Sequence, residues 1–169
     1  MPSDQSRSIN PLRLAKARER IEGCLQLDSL VRLKDILLEN SGELKYSLSF
    51  DFDETGVCIV ETGIESQLVL ECQRCLDPVV IEIHQSSLLG IVKNKDELGV
   101  LAKDYEPLQL DEEIISVEEL VEDELLLSLP QSPTHTEHEC AGKEDLDRIN
   151  AEAKQHPFAV LTTLKEDRE

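Results

Sequence analysis

Two cysteines, Cys72 and Cys75, sit three positions apart in the string ECQRCLDP. Thiols at this spacing can close on one metal ion from a tight turn, or form a redox pair. A closed tetrahedral site needs two further donors. The string HTEHEC offers His135, His138 and Cys140. Cys72, Cys75, His138 and Cys140 are the set expected to hold zinc. Two features count against it: His138 and Cys140 are closer than common ligand spacing, and the intervening chain must fold back onto the turn. A plain turn that carries two thiols is the leading reading, with zinc second to it. A redox centre is a further one, but such pairs open a helix, whose dipole lowers a thiol pKa. Here the pair lies between two expected strands. Arg74 favours a thiolate there, while Glu71 and Asp77 oppose it. Cys24 and Cys58 read as core or half-buried thiols.

The second chemical feature is a run of carboxylates. Ten fall between Asp104 and Leu127 with no basic residue among them. Glu118 with Glu122, and Glu119 with Asp123, have the spacing that brings side chains together on a helix. Convergent carboxylates could hold the metals of an RNA-processing hydrolase. No histidine or lysine is near them in sequence to act as base or electrophile. A solvated helix face is the plainer reading. Glu124 stands apart. It follows Leu120 by four and Val121 by three, so it points near the apolar side, to be paired there or to face a basic partner. Glu118, Glu122, Asp123, Glu124 and Phe158 are the expected partner-binding residues. His84, beside Glu82, is expected at a surface or edge. There is no phosphate-cradling glycine loop, nucleophile elbow or other catalytic motif, so no catalytic residue is assigned.

Charge narrows the partners. The net charge is −19, and it is unevenly spread. Residues 1–40 carry +1 and residues 41–169 carry −20. Nucleic acids are polyanions and normally need a basic face. Only the stretch Arg13, Lys16, Arg18, Arg20 could touch an RNA; otherwise it is a solvated segment. Trp is absent and aromatics make up 3% of the chain, too few for a base-stacking platform. The acidic body suits basic proteins better than RNA, though acidity also serves general solubility. No apolar stretch approaches a membrane span, and the N-terminus has no apolar core of a signal peptide. The chain is expected in the cytoplasm, with its five cysteines as thiols or metal ligands.

The elements that must position these residues follow from periodicity. Leu44, Tyr46, Leu48, Phe50 and Phe52 alternate with polar residues, giving a strand with one buried face. Asp53 to Gly56 is a turn, Val57–Glu61 a second strand, and Gly63 a bend. Ile64 to Cys72 is a third strand, and Val79–Val92 a fourth. Short turns between strands imply an antiparallel meander. Asp28 to about Leu38 reads as a short helix with Leu30, Val31, Leu33, Leu37 and Leu38 on its apolar stripe. Arg20–Leu27 is ambiguous between strand and helix. Lys93–Lys103 reads as a loop. Ser116-Val117-Glu118-Glu119 is a capping box that opens a helix to about Leu127, ended by Pro130. The fold class is α+β: an antiparallel β-meander of about four or more strands, covered by a few short helices. The expected layout is a flexible N-terminus at 1–10, a body at 11–130, a polar loop at 131–155 and a C-terminal docking helix at 156–169.

Four blocks in order resemble one family. They are ECQRCLDPV at 71–79, YEP at 105–107, VEDELLLSLP at 121–130 and PFAVLTTLK at 157–165. Their set and spacing are similar to the YceD family, linked to accumulation of large-subunit ribosomal RNA. The resemblance covers nearly the whole chain from about Pro11. It implies a ribosome-biogenesis factor that supports synthesis, processing or stability of 23S ribosomal RNA, with no enzymatic activity. It implies ribosomal or ribosome-assembly proteins as partners, and the large-subunit RNA precursor through the N-terminal basic stretch. Some relatives carry a second cysteine pair after the acidic helix, where this chain has Cys140 with His135 and His138.

Overall fold

The computed structural model describes residues 7–93, 101, 104–110, 112–136, 140, 142–143 and 148–149. The chain divides into two compact units: Met1–Leu70 with Val80–Gln131, and Glu71–Val79 with Ser132–Glu169. The cysteine turn falls in the second unit. The expected docking helix at 156–169 lies outside the described residues.

The first unit opens with strand β1 (Ser8–Ile9) and helix α1 (Pro11–Ala17). Asn10 caps the helix by accepting the Arg13 N–H at 2.9 Å, and Pro11 supplies the preset φ of a first helical turn. The helix ends where Arg18 takes a left-handed φ of 53°. The ambiguous stretch that follows is strand β2 (Arg20–Gln26). It pairs with β3 (Glu43–Phe52), placing Ile21 opposite Leu48 and Leu25 opposite Leu44. Gly23 faces Tyr46, whose hydroxyl lies 2.5 Å from where a Cβ would stand. Glycine leaves the tyrosine ring room on the edge strand.

The Asp53 turn leads into β4 (Cys58–Glu71), and β5 (Pro78–Val92) follows the cysteine turn. β4 is one strand where two were expected. Gly63 does not bend it: the residue pairs with Ser47, and a Cβ there would come 2.8 Å from the serine hydroxyl. The glycine answers a close approach, not a corner. Strand β6 (Glu106–Gln109) then pairs with β5 in parallel, which an all-antiparallel meander did not anticipate. The five-stranded sheet runs β2-β3-β4-β5-β6. Strand β7 (Ile115–Ser116) pairs separately with β1. This mostly antiparallel sheet with helices α1 and α2 (Val117–Ser128) is the expected α+β class.

Leu44, Leu48 and Phe50 of β3 and Val60, Ile64 and Leu68 of β4 form the buried face. Helix α2 (Val117–Ser128) adds Val117, Leu120, Val121 and Leu125 to the core. Its start is the expected cap, with Ser116 Oγ accepting the Glu119 N–H at 3.3 Å. The helix expected from Asp28 does not form. A single 3-10 turn occupies Leu27–Ser29, and hydrogen-bonded turns follow over 31–36. The Arg32 N–H, which an α-helix begun at Asp28 would spend on the Asp28 carbonyl, donates to Glu122 Oε1 at 2.8 Å instead. Leu30, Leu33 and Leu37 are still buried, while Val31 and Leu38 are exposed. No described helix is long and apolar enough to cross a membrane.

Candidate metal centre

The cysteine turn is closed by its own backbone. The Cys72 N–H donates to the Asp77 carbonyl at 3.0 Å, and the Leu76 N–H to the Cys72 carbonyl at 2.9 Å. The Gln73 N–H donates to the Pro133 carbonyl at 2.8 Å, which ties the later segment to the turn. This tie answers the demand that the chain fold back. Gly142 packs on the same turn, where a Cβ would meet the Arg74 carbonyl oxygen at 2.9 Å. Leu76 takes a φ of 65°. For a residue with a Cβ that conformation costs about 1–2 kcal/mol.

The result is a cluster. One donor atom each from Cys72, Cys75, His135 and Cys140 lies within 4.8 Å of every other. Cys72 Sγ stands 3.9 Å from Cys140 Sγ, and Cys75 Sγ stands 3.4 Å from His135 Nδ1. Zinc–sulfur bonds of about 2.3 Å in a tetrahedron place neighbouring sulfurs about 3.8 Å apart. The Cys72–Cys140 separation is close to that edge. His135 Nε2 lies 3.0 Å from the Pro78 carbonyl. A carbonyl only accepts, so Nε2 carries a proton and Nδ1 is the nitrogen turned to the sulfurs. Holding the outer nitrogen on a carbonyl is how a ligating imidazole is usually oriented. Cys72 and Cys140 are buried, so this is a closed set of donors that can hold a metal ion.

The electrostatics favour the same conclusion. Burial alone would push the Cys72 thiol up, but N–H donors at Cys75, His135 and Arg74 outweigh it and hold the group at about 5. The Asp77 N–H lowers the Cys75 thiol, while burial and the Cys72 and Cys140 sulfurs raise it further, to about 11. His135 is raised chiefly by Cys72 and, against burial, by the Pro78 carbonyl. Adjacent sulfurs thus resist ionising together in the absence of a cation, and a bound dication removes that conflict. All described cysteines are free thiols, and the pair lies at a strand-to-strand turn and not at a helix start.

Of the expected ligands, the structure brings together Cys72, Cys75 and Cys140; His138 lies outside the described residues. His135 completes the set. Its separation of five from Cys140 is the sequence signal that marks it, against the cramped pair at His138.

The expected partner residues divide. Glu122 is buried and accepts from Arg32 Nε at 3.1 Å, in addition to the Arg32 backbone. Asp123 Oδ1 takes Arg32 Nη1 at 2.6 Å. Asp123 first, then Glu122, raise the pKa of the guanidinium. Glu124 is buried and accepts from Thr62 Oγ1 at 3.0 Å, so it is paired inside the fold. Glu118 lines a groove of about 650 Å³ with Val31, Arg32, Glu119 and Asp123. Phe158 lies outside the described residues. Arg32 is the functional neighbour that no local pattern signals. His84 is exposed, in an open trough over the sheet with Cys24, Lys45 and Glu65.

A family model described as large ribosomal RNA subunit accumulation protein YceD matches residues 60–165. A protein of that name from Haemophilus influenzae (strain ATCC 51907 / DSM 11121 / KW20 / Rd) is 29% identical over 165 residues, covering 94% of this chain and 95% of its own. No solved structure matches significantly.

Proposed function

Because this chain belongs to the YceD family of large ribosomal RNA subunit accumulation proteins, we propose that it supports synthesis, processing or stability of large-subunit ribosomal RNA, by binding and not by catalysis. The observation that carries binding over hydrolysis is Arg32. Its guanidinium bonds to both Glu122 and Asp123, in the place where a hydrolase would hold a metal ion. The carboxylates are already neutralised by the chain itself.

Zinc is the ion proposed for the cysteine set. Three sulfurs and one imidazole nitrogen suit it, and four protein donors leave no open position for a substrate. Bound zinc would contribute folding energy to the turn. The proposed partners are ribosomal or ribosome-assembly proteins, met by Glu118 and Glu119, with Phe158 added on sequence grounds. Arg13 and Lys16, exposed on α1, are the proposed contacts to the large-subunit RNA precursor. Arg18 and Arg20 are drawn to Asp51 and Glu22 instead. The proposed location is the cytoplasm.

The test is sedimentation. The tagged protein should travel with large-subunit precursors, and a strain lacking it should show a lowered ratio of large to small subunits. Normal ratios, with the protein only at the top of the gradient, overturn the reading. Cleavage of precursor RNA with magnesium or manganese, abolished by Glu118→Ala with Glu122→Ala, would put the hydrolase in its place.

A further inference from the structure

We propose that Leu76 is an anchor by which the cysteine turn grips a protein partner, inserting into an apolar socket rimmed by lysine or arginine. Two independent observations meet at this residue. Its φ is 65°, a region that favours glycine or asparagine. Its side chain is 66% exposed, so the apolar surface lies in water. Backbone and solvent both disfavour leucine here.

The backbone conformation belongs to the turn. The bonds from Leu76 N to the Cys72 carbonyl and from Cys72 N to the Asp77 carbonyl fix it. Glycine would meet that demand, and glycine stands at two other positive-φ positions, Gly42 and Gly56. Arg18, the other described residue with a Cβ at positive φ, is a useful contrast. Its side chain is charged, is at home in water and pairs with Asp51 at 3.2 Å. Leu76 has no such reason to be outside. A strained residue held by its surroundings points to use.

The setting identifies the partner's chemistry. The exposed charges of the turn, Glu71 and Asp77, are negative, while Arg74 is half-buried. Carboxylates repel phosphates, and leucine neither stacks on bases as an aromatic does nor bonds to a phosphate. A protein surface with an apolar pocket and a basic rim is complementary on both counts.

This inference rests on the reading that the protein acts by binding large-subunit precursors. The probe is therefore precursor particles isolated from growing cells. Leu76→Asn and Leu76→Gly should keep the parent's metal content and melting temperature, because both tolerate the left-handed backbone. Their affinity for the particles should fall about tenfold, the loss expected for an interface anchor. Leu76→Met should bind as the parent does. A photo-crosslinker at position 76 should label a ribosomal or assembly protein. A parent that binds while Leu76→Asn binds equally overturns this inference alone. A crosslink to RNA or to a second copy of the chain also overturns it. A parent that stays off the particles overturns the binding reading and this inference with it.

Discussion

The cysteine turn and the acidic helix both crowd groups that ionise negatively, and they are neutralised from different sources. On α2, Glu122 and Asp123 receive a cation from the chain itself, Arg32. Around the turn, Cys72, Cys75 and Cys140 converge with the His135 imidazole beside them. A buried anion must be paired, hydrogen-bonded or protonated. The helix has its answer in the fold, while the turn is shaped for one from outside. Glu124 shows a further solution, a buried carboxylate served by the neutral hydroxyl of Thr62.

The largest break in this contrast should come at the turn. Cys72→Ser, or a strong chelator, should abolish zinc binding and unfold the segments around 71–79 and 132–136, while the sheet of the first unit persists. Elemental analysis of protein purified without a metal-affinity tag should find about one zinc per chain in the parent. Less than half an equivalent would return the turn to a plain pair of thiols. Thr62→Val should come next. It strands the Glu124 carboxylate without its donor, and should lower stability to urea by about 1–3 kcal/mol. Glu124→Gln in the same background should recover part of that loss. Arg32→Met should cost about 1–2 kcal/mol, less than a fully buried pair because the guanidinium is half exposed. A larger loss from Arg32→Met than from Thr62→Val would reverse the ranking of the two solutions.

The smallest effect concerns Asp53, a carboxylate held by neutral donors. Burial raises its pKa, but the Thr55 hydroxyl, the Val57 and Thr55 N–H groups and the Tyr105 hydroxyl lower it more. A depressed folded pKa contributes stability above the ordinary carboxylate range, and that stability is lost as pH falls through the folded value. The gap in urea midpoint between parent and Asp53→Asn should therefore shrink from about pH 7 to about pH 3. A constant gap would mean that the charge is irrelevant to the turn.

Much of this was legible in the residues. Alternation at Leu44–Phe52 and the capping box at Ser116 are local signals, and both elements form where the pattern placed them. Cys72 and Cys75 marked the turn through spacing alone. What stayed hidden depends on distant partners. Arg32 left the helical pattern of 28–38 because Glu122, ninety positions on, competes for its N–H. Glu106–Gln109 is too short and polar to read as a strand without β5 beside it. His135 was visible as a donor, but choosing it needed the Pro78 carbonyl that orients its ring. At α1 the signal is local, since Asn10-Pro11 is a helix start in its own right.

The pairing of β1 with β7 has a kinetic consequence. β3 and β4 are joined by a tight turn and need to close only a short loop before they meet. Ser8 and Ser116 must find each other across most of the described chain. Contacts of such separation carry the largest loop-closure entropy and tend to form late. A late contact contributes little to the speed of folding and mostly to how slowly the native chain comes apart. The two-residue clasp at the N-terminus thus acts as a latch on the lifetime of the folded body.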